Sequence, residues 1–121
     1  MTHKILIVDD EPNIVISLEF LMKKEGFAVA VAGDGDAALE KVASFAPDLV
    51  LLDVMMPKKS GYEVCQILRG DPAYAGLKIV MLSAKGRETE VAKGVALGAD
   101  AYVTKPFSTK ELVAQVKALL G

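Results

Sequence analysis

Cysteine occurs once in this 121-residue chain and tryptophan not at all. The lone Cys65 excludes an internal disulfide. Its place in an apolar helical stretch reads as a small buried hydrophobe, not a reactive thiol. Long apolar runs are missing too. None approaches the roughly 18 residues that a membrane span needs, and no long apolar h-region precedes the first acids as in a secretory signal. A soluble, cytoplasmic domain with no membrane partner is therefore expected. Nor is there an excess of one charge: 14 basic residues stand against 16 acidic ones, a net −2. The basic residues are scattered, Lys23-Lys24 and Lys58-Lys59 being pairs and not a stripe, which argues against direct nucleic-acid binding. Repeats, low-complexity segments and internal linkers are absent. What remains is an ordinary globular composition, 52% apolar and 25% charged, fitting a single domain over residues 1–121.

Short apolar runs alternate with helical patterns five times. Ile5–Val8 is apolar on both faces, as a buried parallel strand should be. Asp10-Glu11-Pro12 then supplies a cap, an acid for the first turn and a proline for the first helical position. That helix is predicted to reach about Glu25, with Ile14, Leu18, Leu21 and Met22 inward and Gly26 as its stop. Ala28–Ala32 is a weaker strand signal. Asp34-Gly35-Asp36 opens a second helix with Ala38, Leu39, Val42 and Phe45 inward. Ala46-Pro47 closes it, because the residue before proline resists helical geometry. After a strand at Leu49–Leu52, Ser60-Gly61-Tyr62-Glu63 reads as a capping box for a helix ending near Gly70. A fourth strand is predicted at Lys78–Leu82, a helix from Arg87 to Leu97 stopped by Gly98, and a short strand at Ala101–Thr104. Ser108-Thr109-Lys110-Glu111 is a second capping box, opening a helix with Leu112, Val116, Leu119 and Leu120 on one face. This alternation implies an α/β fold with right-handed crossovers and a doubly wound parallel sheet.

Ligands of such sheets bind beyond the carboxyl ends of the strands. Four runs end there in polar residues: Asp9-Asp10, Asp53, Ser83 and Lys105-Pro106. Crowded carboxylates raise one another's cost of ionisation, so a cation must offset them. Mg²⁺ suits an oxygen site that supplies one or two carboxylates, with Mn²⁺ as a substitute. Lys105 adds a second positive charge, Ser83 a hydroxyl, and the backbone N–H groups just after Asp53 further donors. Transfer of a phosphoryl group to a carboxylate requires such a set, since its catalysis is mostly positioning and neutralisation of charge. Asp53 would be the nucleophile and an acyl phosphate the product. Taken singly, Asp10 reads as a helix cap, Asp53 as a turn residue, Ser83 as a strand-end filler and Lys105 as surface; their joint occurrence favours a site. Asp34, Asp36 and Asp100 read as cap and turn residues, and His3 as a lone exposed histidine.

The whole chain resembles a response-regulator receiver domain of two-component signalling, of the chemotaxis-regulator type. The matching residues are Ile7-Val8-Asp9-Asp10-Glu11, Leu51-Leu52-Asp53-Val54-Met55-Met56-Pro57 with Gly61, Leu82-Ser83-Ala84, Gly98-Ala99-Asp100-Ala101-Tyr102 and Lys105-Pro106-Phe107. The resemblance implies a flavodoxin-like (βα)5 fold with strand order 2-1-3-4-5. It implies that Asp53 accepts phosphate from a sensor histidine kinase, a phosphotransfer protein or a small phosphodonor. Asp10, Asp53 and the Met55 backbone carbonyl would ligate Mg²⁺, with Asp9 acting through a water. Lys105 would pair with the phosphoryl group, and its bond to Pro106 is expected to be cis. Ser83 would move toward the phosphoryl oxygen and Tyr102 would turn inward, altering the surface of the fourth helix, fifth strand and fifth helix for an output partner.

An aspartyl-nucleophile phosphatase shares the layout, but usually has a general acid two residues after a nucleophile on the first strand; Asp10 is followed by Glu11-Pro12. A flavin carrier would need a phosphate-cradling loop where the acids stand. A receiver-like module that signals without phosphate would not need the intact acid set. Self-catalysed phosphorylation with slow dephosphorylation, not turnover of a substrate, is the expectation. Met55 and Lys85 lie two residues after Asp53 and Ser83, where the family tunes acyl-phosphate lifetime, and an apolar Met55 cannot orient an attacking water. Related winged-helix regulators usually pair an Asp where Ala101 sits with an Arg where Gln115 sits. Both are missing, although Lys93 and Glu111 offer another pair, so a monomer is expected before phosphorylation.

Overall fold

The computed structural model describes residues 2–56, 58–83 and 88–121, without the side chains of Glu88 and Thr89. Lys85, Pro57, Ala84 and the expected helix start at Arg87 lie outside the described residues. Strands β1 (Lys4–Val8), β2 (Ala28–Ala32), β3 (Leu49–Asp53), β4 (Lys78–Ser83) and β5 (Ala101–Thr104) form one parallel sheet in the order 2-1-3-4-5. Helices α1 (Pro12–Lys24), α2 (Gly35–Phe45), α3 (Gly61–Arg69), α4 (Glu88–Ala96) and α5 (Thr109–Leu120) connect and cover it. The expected doubly wound, flavodoxin-like arrangement is the one found.

Strand parity divides the core into two layers. Ile5, Ile7, Leu49, Leu51, Val80 and Leu82 face one side, where Leu18 and Met22 of α1 and Leu112 and Val116 of α5 pack on them. Leu6, Val8, Val50, Leu52, Ile79 and Met81 face the other, against Val42 of α2 and Val64, Cys65 and Leu68 of α3. The inner strands are thus buried on both faces, which explains their unbroken apolar runs. Cys65 is fully buried and its thiol points at the Leu97 carbonyl, 3.5 Å away. Burial pushes that thiol up, consistent with a packing role.

Helix ends follow the sequence signals with two corrections, at the start of α1 and at the expected capping box of α5, where only the Ser108 half is formed. Gly26 has φ +88, and the bonds from Gly26 N–H to the Lys23 carbonyl and from Phe27 N–H to the Met22 carbonyl close α1 as a Schellman motif. At its start, Pro12 is the first helical residue, but neither Asp10 nor Glu11 caps the helix through its side chain and no acid lies in the first turn. The residue at the cap position is Glu11, a poor N-cap type, and not Asp10, and Asp9 accepts a bond from Glu11 N–H. The capping box at Ser60 and Glu63 is complete. At α5, Ser108 accepts from Glu111 N–H at 3.3 Å. Ala46 ends α2 in the left-handed region, at φ 52.

A 3₁₀ turn at Pro72–Tyr74 was not expected from the pattern. It belongs to a knot centred on Arg69. That guanidinium donates to the carbonyls of Gly98 (2.8 Å), Tyr74 (3.1 Å) and Leu77 (2.7 Å) and to the Asp100 carboxylate (2.8 Å). Asp100 also accepts from Ile79 N–H, so it is more than a turn residue. The knot ties α3, the lead into β4 and the lead into β5 together at the sheet end remote from the acids.

Candidate functional site

Sheet order reverses between β1 and β3, and the acids stand on either side of that crevice. Asp9 directly follows β1, with its N–H still paired to the Ala32 carbonyl. Asp53 is the last residue of β3, in register with Leu82. Ser83 ends β4 beside Thr104, and Lys105 N–H bonds to the Ser83 carbonyl at 2.7 Å. The Lys105–Pro106 bond is cis, as the resemblance implied. Asp9, Asp53 and Ser83 are buried while Asp10 is exposed. An open cleft of about 450 Å³ is lined by Asp9, Asp10, Pro12, Asp53, Met55 and Lys105.

Within it the Lys105 ammonium lies 2.9 Å from Asp9 Oδ2 and 3.4 Å from Asp53 Oδ1. One carboxylate oxygen from each of Asp9, Asp10 and Asp53 falls within 4.8 Å of the others. The electrostatics follow. Burial, then the Asp9 charge, pushes the Asp53 carboxyl up to about 6, against the pull of Lys105 and the Met55 N–H. Burial alone would lower Lys105, but its bond to Asp9 and the fields of Asp53 and Asp9 outweigh this and raise it. One ammonium among three acids leaves the cluster short of positive charge. Three oxygens this close, one of them reluctant to ionise, fit a hard divalent cation.

Of the backbone groups after Asp53, the Val54 N–H is already bonded to the Leu82 carbonyl at 3.1 Å, which leaves Met55 N–H as the one turned to the carboxylate. Met55 itself is 58% exposed at the cleft mouth. The segment that follows Asp53 is pinned in two places. Gly61 N–H bonds to the Val54 carbonyl, and a Cβ at Gly61 would stand 2.3 Å from the Asp53 carbonyl oxygen, so only glycine permits this approach. Lys59 pairs with Asp36 at 2.9 Å and Lys58 with Asp34 at 3.9 Å. The Lys58-Lys59 pair, read from sequence as solvated surface, stays at the surface and lies against the first turn of α2 through these surface ion pairs.

Tyr102 faces α4, half-buried on the core layer that includes Met81. Its hydroxyl is 3.4 Å from that of Tyr62, a neighbour that no strand-end motif marks. Lys93, a candidate partner for Glu111, places its ammonium 4.5 Å above the Tyr62 ring. A second groove, of about 660 Å³, runs between β5 and α5 past Tyr102, Glu111 and Gln115. Among the described residues, no helix is long and apolar enough to cross a membrane.

Known proteins share this fold. The profile of the response regulator receiver domain family matches residues 5–117. The DNA-binding response regulator MtrA of Mycolicibacterium smegmatis is 49% identical over 120 residues, covering 99% of this chain and 51% of that protein. MtrA of Mycobacterium tuberculosis H37Rv is 48% identical with the same coverage. The chain thus spans about half the length of these curated relatives. Among solved structures, the beryllofluoride-activated N-terminal receiver domain of Klebsiella pneumoniae RstA superposes with a TM-score of 0.91 at 32% identity, covering 98% of each chain. The Vibrio cholerae chemotaxis protein CheY4 gives 0.92 at 28% identity, covering 98% of this chain and 99% of that one.

Proposed function

The chain belongs to the response regulator receiver domain family, and on that footing we propose that it is a phosphoacceptor whose Asp53 carries the signal. The observation that carries this reading is the placement of Asp53: buried at the end of β3, its carboxylate 3.4 Å from Lys105 and within 4.8 Å of oxygens of Asp9 and Asp10. Asp10 and Asp53, with the Met55 carbonyl, would hold Mg²⁺, and Asp9 would support it at one remove. When bound, Mg²⁺ supplies positive charge for the acids and for an incoming phosphoryl group. The other parts are the chain's own. Asp53 attacks as the carboxylate, and Lys105 neutralises charge spread over the phosphoryl oxygens. Ser83, buried at the next strand end, offers its hydroxyl to the arriving group, and Tyr102 answers by its position on β5.

The phosphoryl source would be the phosphohistidine of a sensor kinase or phosphotransfer protein, or a small phosphodonor. Residues 1–121 would act as a single receiver domain that reacts once per signal and does not turn over a substrate. The MtrA relatives are DNA-binding response regulators of about twice this length. A DNA-directed output is therefore proposed to pass through a partner or effector region, and the surface of α4, β5 and α5 to report to it. Incubation with acetyl phosphate followed by intact mass measurement tests the reading. Gain of one phosphoryl group with Mg²⁺ or Mn²⁺, and none with a chelator, is expected; gain independent of the metal would contradict it.

A further inference from the structure

A phenol outside the strand-end set links the acceptor to the β5 surface. Tyr62 lies in the first turn of α3, next to Gly61, whose backbone presses on that of Asp53. Its hydroxyl lies 2.7 Å from Glu90 Oε2 on α4 and 3.4 Å from the Tyr102 hydroxyl on β5. A carboxylate only accepts, so Tyr62 donates its one proton to Glu90 and its oxygen is left to accept from Tyr102. Burial, together with the bond it donates to Glu90, pushes the Tyr62 phenol up and keeps it protonated. The Lys93 ammonium over the Tyr62 ring adds a second tie to α4. Space for the Tyr102 ring comes from Gly94 of α4: a Cβ there would stand 2.8 Å from Tyr102 Cδ2 and 3.0 Å from Met81 Sδ. The inward place of Tyr102 thus has a wall, Gly94, and a polar end, Tyr62.

We propose that Tyr62 is a positioning residue of the signalling switch, its hydroxyl retaining Tyr102 in the inward position and coupling the start of α3 to α4 and β5. This rests on the phosphoacceptor reading. If phosphorylation selects inward Tyr102, whatever holds that position adds to the affinity for a phosphoryl mimic, because a ligand shifts two states only by its differential affinity.

The test is titration of the full chain with beryllofluoride and Mg²⁺, for wild type, Tyr62→Phe, Tyr102→Phe and the double variant, with the Tyr102 ring resonances followed by NMR. Tyr62→Phe keeps the ring and its packing. It is expected to weaken beryllofluoride binding about three- to tenfold, the range of one hydrogen bond, and to shift the Tyr102 resonances. The loss should vanish in the Tyr102→Phe background. Gly94→Ala, which displaces the ring and leaves both hydroxyls in place, should weaken binding as well. Wild-type binding with unchanged affinity in Tyr62→Phe overturns the switch role alone. So does an equal loss with and without the Tyr102 hydroxyl, which would mark Tyr62 as an anchor for α4 only. No binding by wild type overturns the phosphoacceptor reading and takes the switch role with it.

Discussion

Asp53 is held in two conflicting environments, and its titration exposes the conflict. Burial and Asp9 raise its carboxyl from 3.8 to about 6, so between those values the folded chain keeps a proton that the unfolded chain has released. Asp53 therefore weakens the metal-free fold as pH rises through about 6, by about 3 kcal/mol once both states are ionised. Asp53→Asn should raise the metal-free unfolding free energy by up to the same ~3 kcal/mol at pH 8 and leave it nearly unchanged at pH 4, measured by urea titration. Millimolar Mg²⁺ should erase the difference by stabilising the wild type. A gain of the same size at both pH values would mean that charge is not its cause. Lys105→Met has the opposite sign: it strands two buried carboxylates and should cost about 3 kcal/mol at pH 8. Met55, exposed and apolar at the cleft mouth, offers no group to orient water, so Met55→Asn should speed decay of the acyl phosphate. An unchanged decay rate would count against that role.

Secondary-structure elements were legible in the sequence where the chain itself carries the signal. Alternating apolar runs located the strands, and Ser60, Glu63 and Gly26 act where capping chemistry places them. The strand-end residues were legible for the same reason, since parallel strands share one carboxyl edge. Contacts between elements were not. No sequence pattern singles out Arg69 in the last turn of α3, yet it bonds four groups, because only the fold brings Gly98 and Asp100 beneath it. Tyr62 was hidden likewise, its partners lying 28 and 40 residues away. Asp10 was read both as a helix cap and as a member of the acid site, and the cap reading failed because Glu11 occupies the cap position. Arg69→Met should destabilise the fold by about 3 kcal/mol, through loss of charge-assisted bonds and exposure of their acceptors. A calorimetric midpoint unchanged from wild type would dismiss the knot. Ala46→Gly should stabilise by about 0.5–1 kcal/mol, since alanine bears the left-handed φ of 52 there.

The domain as one body is a two-layered core with its chemistry on one edge and its candidate output on an adjoining face. The β5–α5 groove carries Gln115 and lies beside Ala101, which lack the opposite charges of an interfacial pair, and Lys93 is turned to Tyr62. A monomer is expected in sedimentation velocity before phosphorylation, with a concentration-dependent dimer as the contrary result. Everything assigned to that face depends on Asp53 receiving a phosphoryl group. The direct measurement is radiolabelled acetyl phosphate with Mg²⁺ added to wild type and to Asp53→Asn in parallel. Label on the wild type, absent from Asp53→Asn and lost on chelation, is expected; equal label on both proteins would contradict the assignment of Asp53 as the acceptor.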